Sequence, residues 1–207
     1  MEKIRASIRR IDGEIGRLIQ PTQFHFVCDI EKQLDITKAY EAIYRRSYLG
    51  SQYDWLARFC VQHGISDLQL CIHKDDKAHA VVMDKVIQDA NSDTIFIMDS
   101  AYSDTDEYAV FKYFAFPLLN LTKVEMEKIS RTRGWSEIMA NTWFCYNPKR
   151  GKPCGVCYPC LYTLEEGLGW RIPKGRHFIA RVNQWLWYPL WHPARQVVKK
   201  VISRIRR

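Results

Sequence analysis

Four cysteines packed into sixteen residues constrain this chain more than any other feature. In TWFCYNPKRGKPCGVCYPC they are spaced C-x8-C-x2-C-x2-C, with Gly151, Pro153, Gly155 and Pro159 between them. Two cysteines separated by two residues can aim both sulfurs at one metal while backbone amides turn inward, and glycine and proline permit the tight turns this needs. Cys145, Cys154, Cys157 and Cys160 are therefore read as the ligands of one zinc ion. Iron–sulfur proteins also use short spacings, but the C-x2-C-x2-C-x3-C-P run is not matched, because Leu161 and Tyr162 follow Cys160. Four protein ligands leave no open coordination position, so the zinc is expected to be structural. Lys149, Arg150 and Lys152 lie close by in sequence and can offset the excess negative charge of four thiolates.

The remaining cysteines, Cys28, Cys60 and Cys71, are expected to pack as small apolar residues. The first residues, Met1 to Asp12, are charged and unlike a signal peptide, so a reducing, cytoplasmic compartment is expected. The net charge of +8 is unevenly placed. Arg171 to Arg207 holds ten Lys and Arg and no Asp or Glu, which leaves 21 basic residues against 23 acidic ones before it. No apolar run reaches the roughly 18 residues of a membrane-spanning helix.

Ile4, Ile8, Ile11, Ile15, Leu18 and Ile19 recur at helical spacing up to Pro21 and predict one amphipathic helix. A short strand is expected at Phe24 to Cys28. A helix follows over Ile36 to Tyr48, with Ala39, Ile43 and Tyr40 inward. Ser51 and Asp54 form a capping-box pattern that opens a helix through Trp55, Leu56, Phe59 and Cys60 to a stop at Gly64. Leu68 to Ile72 and Thr94 to Met98 read as strands, Val81 to Ile87 as a helical turn or two, and Thr122 as the cap of a helix through Val124, Met126 and Ile129 that ends near Gly134. Alternating strands and helices predict a three-layer α/β domain with a largely parallel sheet. It is assigned to residues 1–173, with the zinc segment at 143–162, and a basic, aromatic-rich helical tail to 174–207.

The segment from Phe116 to Pro173 resembles the C-terminal half of the 7-cyano-7-deazaguanine synthase family of the queuosine pathway. The likeness rests on Pro117, Leu118, Leu121, Thr122, Lys123 and Glu125, then Trp143, Cys145 and Tyr146, then Cys154, Gly155, Cys157 and Cys160. The resemblance implies an ATP-pyrophosphatase, adenine nucleotide hydrolase-like fold with structural zinc. It also implies a ligase that adenylates the carboxylate of 7-carboxy-7-deazaguanine and lets ammonia convert it to a nitrile. ATP and magnesium are held in that family by a Ser-Gly-Gly-x-Asp-Ser loop after the first strand.

A phosphate cradle needs glycines so that amides can approach the oxygens, yet this sequence has no Gly-Gly pair. Gly13 and Gly16 fall inside a helical pattern, and Gly50-Ser51 reads as a helix start. The chain is thus expected to be a fragment, one half of a split enzyme whose partner subunit carries the loop, or a degenerate relative that only binds. The alternative function is a non-catalytic, zinc-stabilised binding or scaffold protein.

Two polar clusters follow the predicted strands at Leu68 to Ile72 and Thr94 to Met98: His73, Lys74, Asp75 and Asp76, then Asp99, Ser100, Asp104 and Asp106. They lie where open α/β sheets place ligands such as magnesium, although a solvated polar loop is the simpler reading. In the tail, Trp185, Trp187, Tyr188, Leu190 and Trp191 precede a helical pattern of Ala194, Val197, Val198, Val201 and Ile205, opposite Arg195, Lys199, Lys200 and Arg206. That pattern suits packing on the domain, an anionic membrane surface or nucleic acid.

Overall fold

The computed structural model describes residues 1–186. They divide into two compact units, Gln20–Met126 and a second that joins Met1–Ile19 to the chain from Glu127 onward.

The N-terminal helical pattern is interrupted. Helix α1 (Glu2–Ile11) ends where Asp12 turns to an extended backbone, and Asp12 then caps α2 (Gly13–Leu18) by accepting from the amides of Glu14 and Ile15 at 3.0 and 2.9 Å. An aspartate before glycine satisfies a new helix start better than it continues an old one, so one expected helix becomes a helical hairpin. Gly16 sits at its crossing, where a Cβ would lie 2.6 Å from the Arg9 Cα. Its glycine serves close helix packing and not a phosphate loop.

The unit Gln20–Met126 opens with α3 (Leu34–Arg46), whose Ile36, Ala39 and Ile43 are buried as their spacing requires. Helix α4 (Gln52–His63) buries Tyr53, Ala57 and Cys60 and stops at Gly64 in the left-handed conformation, φ 63°. The expected capping box at its start does not form. Asp54 instead accepts from the Thr37 hydroxyl at 2.8 Å and pairs with Arg58 at 3.0 Å, tying α3 to α4. The expected strand at Phe24 to Cys28 is an extended segment running into a short 3-10 turn, Val27–Asp29. Side chains of α4 hold it: Gln62 bonds the Glu31 amide and the Asp29 carbonyl, and the His25 ring packs on Phe59 and His63.

The sheet contains β1 (Leu68–Gln69), then, after α5 (His79–Val82), β2 (Val86–Gln88), β3 (Phe96–Met98) and, after α6 (Asp106–Phe111), β4 (Phe114–Phe116). Its order is β1-β4-β3-β2. Only β1 and β4 run parallel, while β4/β3 and β3/β2 are antiparallel, so the sheet is small and mixed where a largely parallel one was expected. Val86 and Ile87, read as helical, pair with Met98 and Ile97 in a β2/β3 hairpin. Strand β4 occupies an interior position, and all three of its residues are buried. Its Phe114 and Phe116 build the core with Phe111, Ile43, Leu49, Val82 and Val110.

Helix α7 (Lys123–Thr132) begins with a capping box. The Glu125 amide donates to Thr122 Oγ1 at 3.2 Å, and the Glu125 carboxylate accepts from the Thr122 amide and hydroxyl at 2.7 and 2.8 Å. Those Thr122 contacts hold the Glu125 carboxyl below its usual value. The helix gives out at Gly134, φ 72°. Then come α8 (Ser136–Ala140), α9 (Tyr158–Glu165) and α10 (Lys174–Leu186). The Ser7 hydroxyl donates to Glu137 at 3.0 Å, and Arg10 pairs with the same carboxylate, which ties α1 to α8. The tail's aromatic block and basic helical pattern, including the side chain of Trp185 and everything from Trp187, lie outside the described residues. No described helix is long and apolar enough to cross a membrane.

Candidate metal centre

The segment from Trp143 to Glu165 folds around its cysteines. Trp143 donates its indole N–H to the Cys145 carbonyl at 2.8 Å. The chain then turns back through a two-residue hairpin: Lys149 and Lys152 exchange backbone hydrogen bonds of 2.9 and 3.1 Å, with Arg150 and Gly151 between them at φ 52° and 71°. Two successive positive φ values match the turn whose twist suits a tight hairpin. The Cys154 amide closes the loop by donating to the Cys145 sulfur at 3.3 Å.

Beyond the hairpin, Gly155 takes φ 80° and lets the amides of Val156 and Cys157 point back at the Cys154 sulfur, at 3.5 and 3.4 Å. A Cβ on Gly155 would lie 2.9 Å from the Arg176 carbonyl oxygen, so α10 is packed directly on this turn. Cys157 is the N-cap of α9 and Cys160 lies in its first turn, which places both sulfurs at the helix's positive end.

The four sulfurs lie within 4.8 Å of one another. Cys157 is 3.4 Å from Cys160 and 3.9 Å from Cys145, and Cys154 is 3.9 Å from Cys160. A tetrahedral metal about 2.3 Å from each sulfur sets neighbouring sulfurs roughly 3.8 Å apart, so the set can hold one metal ion. Cys145, Cys154 and Cys160 are buried and Cys157 is half-buried. Burial opposes ionisation of Cys154, but hydrogen bonds from the amides of Val156 and Cys157, together with those from the Cys157 and Cys145 side chains, hold the thiol down at about 7. Burial pushes Cys145 and Cys160 upward, so they need a cation's charge to ionise near neutrality.

Around this cluster, Arg171 donates to the Thr142 carbonyl at 2.6 Å and lies over the Phe144 ring at 4.7 Å, while His177 bonds the carbonyls of Gly169 and Ile172 at 2.7 and 2.9 Å. None of these supporting residues stands out in the sequence, because their partners are backbone carbonyls brought close only by folding.

Among the described residues the four cysteines are the one cluster of three or more metal-ligating groups. All seven cysteines are free thiols. Of the three outside the cluster only Cys60 packs, its thiol pushed by burial up to about 11, whereas Cys28 and Cys71 are exposed.

The two polar clusters do not converge. Because β3 runs antiparallel to β4, and β4 parallel to β1, the residues that follow β1 and those that follow β3 leave opposite ends of the sheet. Four of their carboxylates are engaged by protein groups. Asp75 accepts from the Lys123 amide at 3.0 Å, Asp76 from the Ala78 amide at 3.0 Å and Asp99 from the Ala101 amide at 2.9 Å, while Asp106 pairs with Arg46 at 2.9 Å. The Asp75 contact brings the loop after β1 onto Thr122, Lys123 and Glu125.

Fold and cluster together define a mixed α/β protein with a four-cysteine segment that can hold a metal ion. The sequence model of the family described as Queuosine biosynthesis protein QueC matches residues 61–168, more than half of the chain, and the chain belongs to that family. The match takes in the whole sheet and all four cysteines and reaches upstream of the segment whose motifs carried the resemblance. No curated protein and no solved structure matches the chain. Membership supports an ATP-pyrophosphatase-like fold and a 7-cyano-7-deazaguanine synthase-like function in the queuosine pathway.

Proposed function

We propose that this chain supplies the zinc-binding part of an ATP-dependent ligase that converts 7-carboxy-7-deazaguanine to its nitrile. The observation that carries the reading is the closed set of four sulfurs, within 4.8 Å of one another, inside the segment the family model matches. Zinc accounts for the ligand set and leaves no position for substrate, so its contribution is to hold the Trp143 to Glu165 segment in shape. The free thiols suit a reducing cytoplasm.

ATP and magnesium binding requires a glycine-rich phosphate loop, which these 207 residues do not contain. A partner subunit carrying a Ser-Gly-Gly-x-Asp-Ser loop completes the site. The experiment is ATP–pyrophosphate exchange driven by 7-carboxy-7-deazaguanine, run on this chain alone and on the chain with the proteins recovered by native pull-down. Exchange only in the second case supports the split enzyme, and exchange by the chain alone overturns it.

A second reading, a zinc-stabilised binding or scaffold protein, is favoured by one observation. The carboxylates best placed to hold magnesium, Asp75, Asp76 and Asp99, are engaged in backbone hydrogen bonds. Absence of exchange under both conditions, with zinc bound, selects it.

A further inference from the structure

The loop between Cys145 and Cys154 carries a surface that metal binding does not use. From Asn141 to Leu164 the sequence has three cations, Lys149, Arg150 and Lys152, and no Asp or Glu. All three are exposed at the tip of the hairpin. None of them pairs with a carboxylate among the described residues. Beside them in sequence, Tyr146 is 82% exposed and Trp143 56% exposed, large ring surfaces left in water.

The backbone that carries these groups is held in place. The Cys154 amide and Cys145 sulfur close the base of the loop, the Trp143 indole is tied to the Cys145 carbonyl, and the Lys149–Lys152 hydrogen bonds fix the tip. With the backbone already fixed, binding has no loop to order, and the entropy cost falls on the side chains alone. The combination matches a polymer that offers both anionic oxygens and flat faces. A bilayer is a poorer match, because the tip has no apolar side chain to bury among acyl chains. An acidic peptide would use the cations and leave the rings idle.

We propose that the hairpin Lys149–Lys152, with Trp143 and Tyr146, binds single-stranded nucleic acid, the cations contacting phosphates and the rings stacking on bases. This does not depend on the ligase reading.

The test uses the full-length, zinc-loaded chain and fluorescence anisotropy with a labelled oligouridylate of roughly 12 nucleotides. The same measurement is made with the corresponding oligothymidylate, with a duplex and with phosphatidylglycerol vesicles. Single strands are expected to bind, more tightly than the duplex. Combining Lys149→Gln, Arg150→Gly and Lys152→Gln should lower the salt slope of the binding constant by about 2, since each lost phosphate contact on a single strand removes roughly 0.7. Tyr146→Ser should weaken binding roughly tenfold and leave that slope unchanged. Zinc content equal to the parent's verifies folding of each variant, and Arg150→Gly suits the positive φ it occupies. The proposal is overturned if the substitutions leave affinity and slope unaltered, if the duplex binds as tightly as the single strands, or if the vesicles bind through the hairpin while the oligonucleotides do not.

Discussion

The backbone amide of Cys154 donates to the sulfur of Cys145 at 3.3 Å, so the first and second cysteines are joined before any metal is considered. The loop between them is closed by the protein itself, and a metal ion held there would add its binding energy to an arrangement partly built.

Replacing any one of the four cysteines leaves three sulfurs around a buried site. Structural zinc sites contribute apparent energies of roughly 10 to 16 kcal/mol in small peptides, comparable with a whole domain's stability. Cys160→Ser, at a fully buried position, is expected to abolish stoichiometric zinc and to remove hydrogen-exchange protection from Trp143 to Glu165. Cys71→Ser, at an exposed position, should change neither.

Gly155 and Arg150 both occupy positive φ, and substitutions there should act in opposite directions. Gly155→Ala adds a methyl group 2.9 Å from the Arg176 carbonyl at φ 80°, with an expected cost of about 2 to 3 kcal/mol. Arg150→Gly relieves a non-glycine residue at φ 52° and should be neutral or stabilising by up to about 1 kcal/mol. Denaturant melts of the two zinc-loaded variants check both signs.

Thiol chemistry should separate the seven cysteines into three classes. A maleimide in excess over the zinc-loaded chain is expected to label Cys28 and Cys71 rapidly, the four ligands only after chelation, and Cys60 only on unfolding. Mass spectrometry of timed samples would contradict the structure if Cys60 were labelled with the first pair.

Alkaline pH provides a titration test. Burial raises Cys60 from its ordinary value near 9 to about 11. The folded state therefore keeps a proton that the unfolded chain gives up, and the stabilisation is complete below about 9 and lost as pH rises through about 11. Stability curves of the parent and of Cys60→Ala should converge in that window, the variant starting lower because of the small cavity it leaves. Parallel curves would show that Cys60 is not the group responsible.

The convergence of Cys145, Cys154, Cys157 and Cys160 was readable in the sequence because all four sulfurs come from one short stretch, and short-range spacing is what a sequence displays directly. The same holds for the inward face of α3 and for the stops of α4 at Gly64 and of α7 at Gly134, whereas Val124 and Ile129 of α7 are exposed. Sheet direction was not readable. Whether β3 runs with or against β4 depends on the pairing of Ile97 with Ala115, residues far apart in the chain, and that one orientation sends the two polar loops to opposite ends of the sheet. β4 itself, in the run FKYFAF, is not readable because three residues so soon after a helix offer too little alternation to separate strand from helix end. At Asp12 and Asp54 the difficulty is competition: an aspartate can cap a helix or bond a neighbouring element, and only the folded surroundings decide.

The interior position of β4 has a consequence for synthesis. Strand β1 has no sheet neighbour except β4, which the ribosome makes more than forty residues later, whereas the β2/β3 hairpin can close from its own short connection. A nascent chain halted before Phe114 would thus hold a formed hairpin and an orphan first strand, with the aromatic residues destined for the core still open to chaperones and proteases.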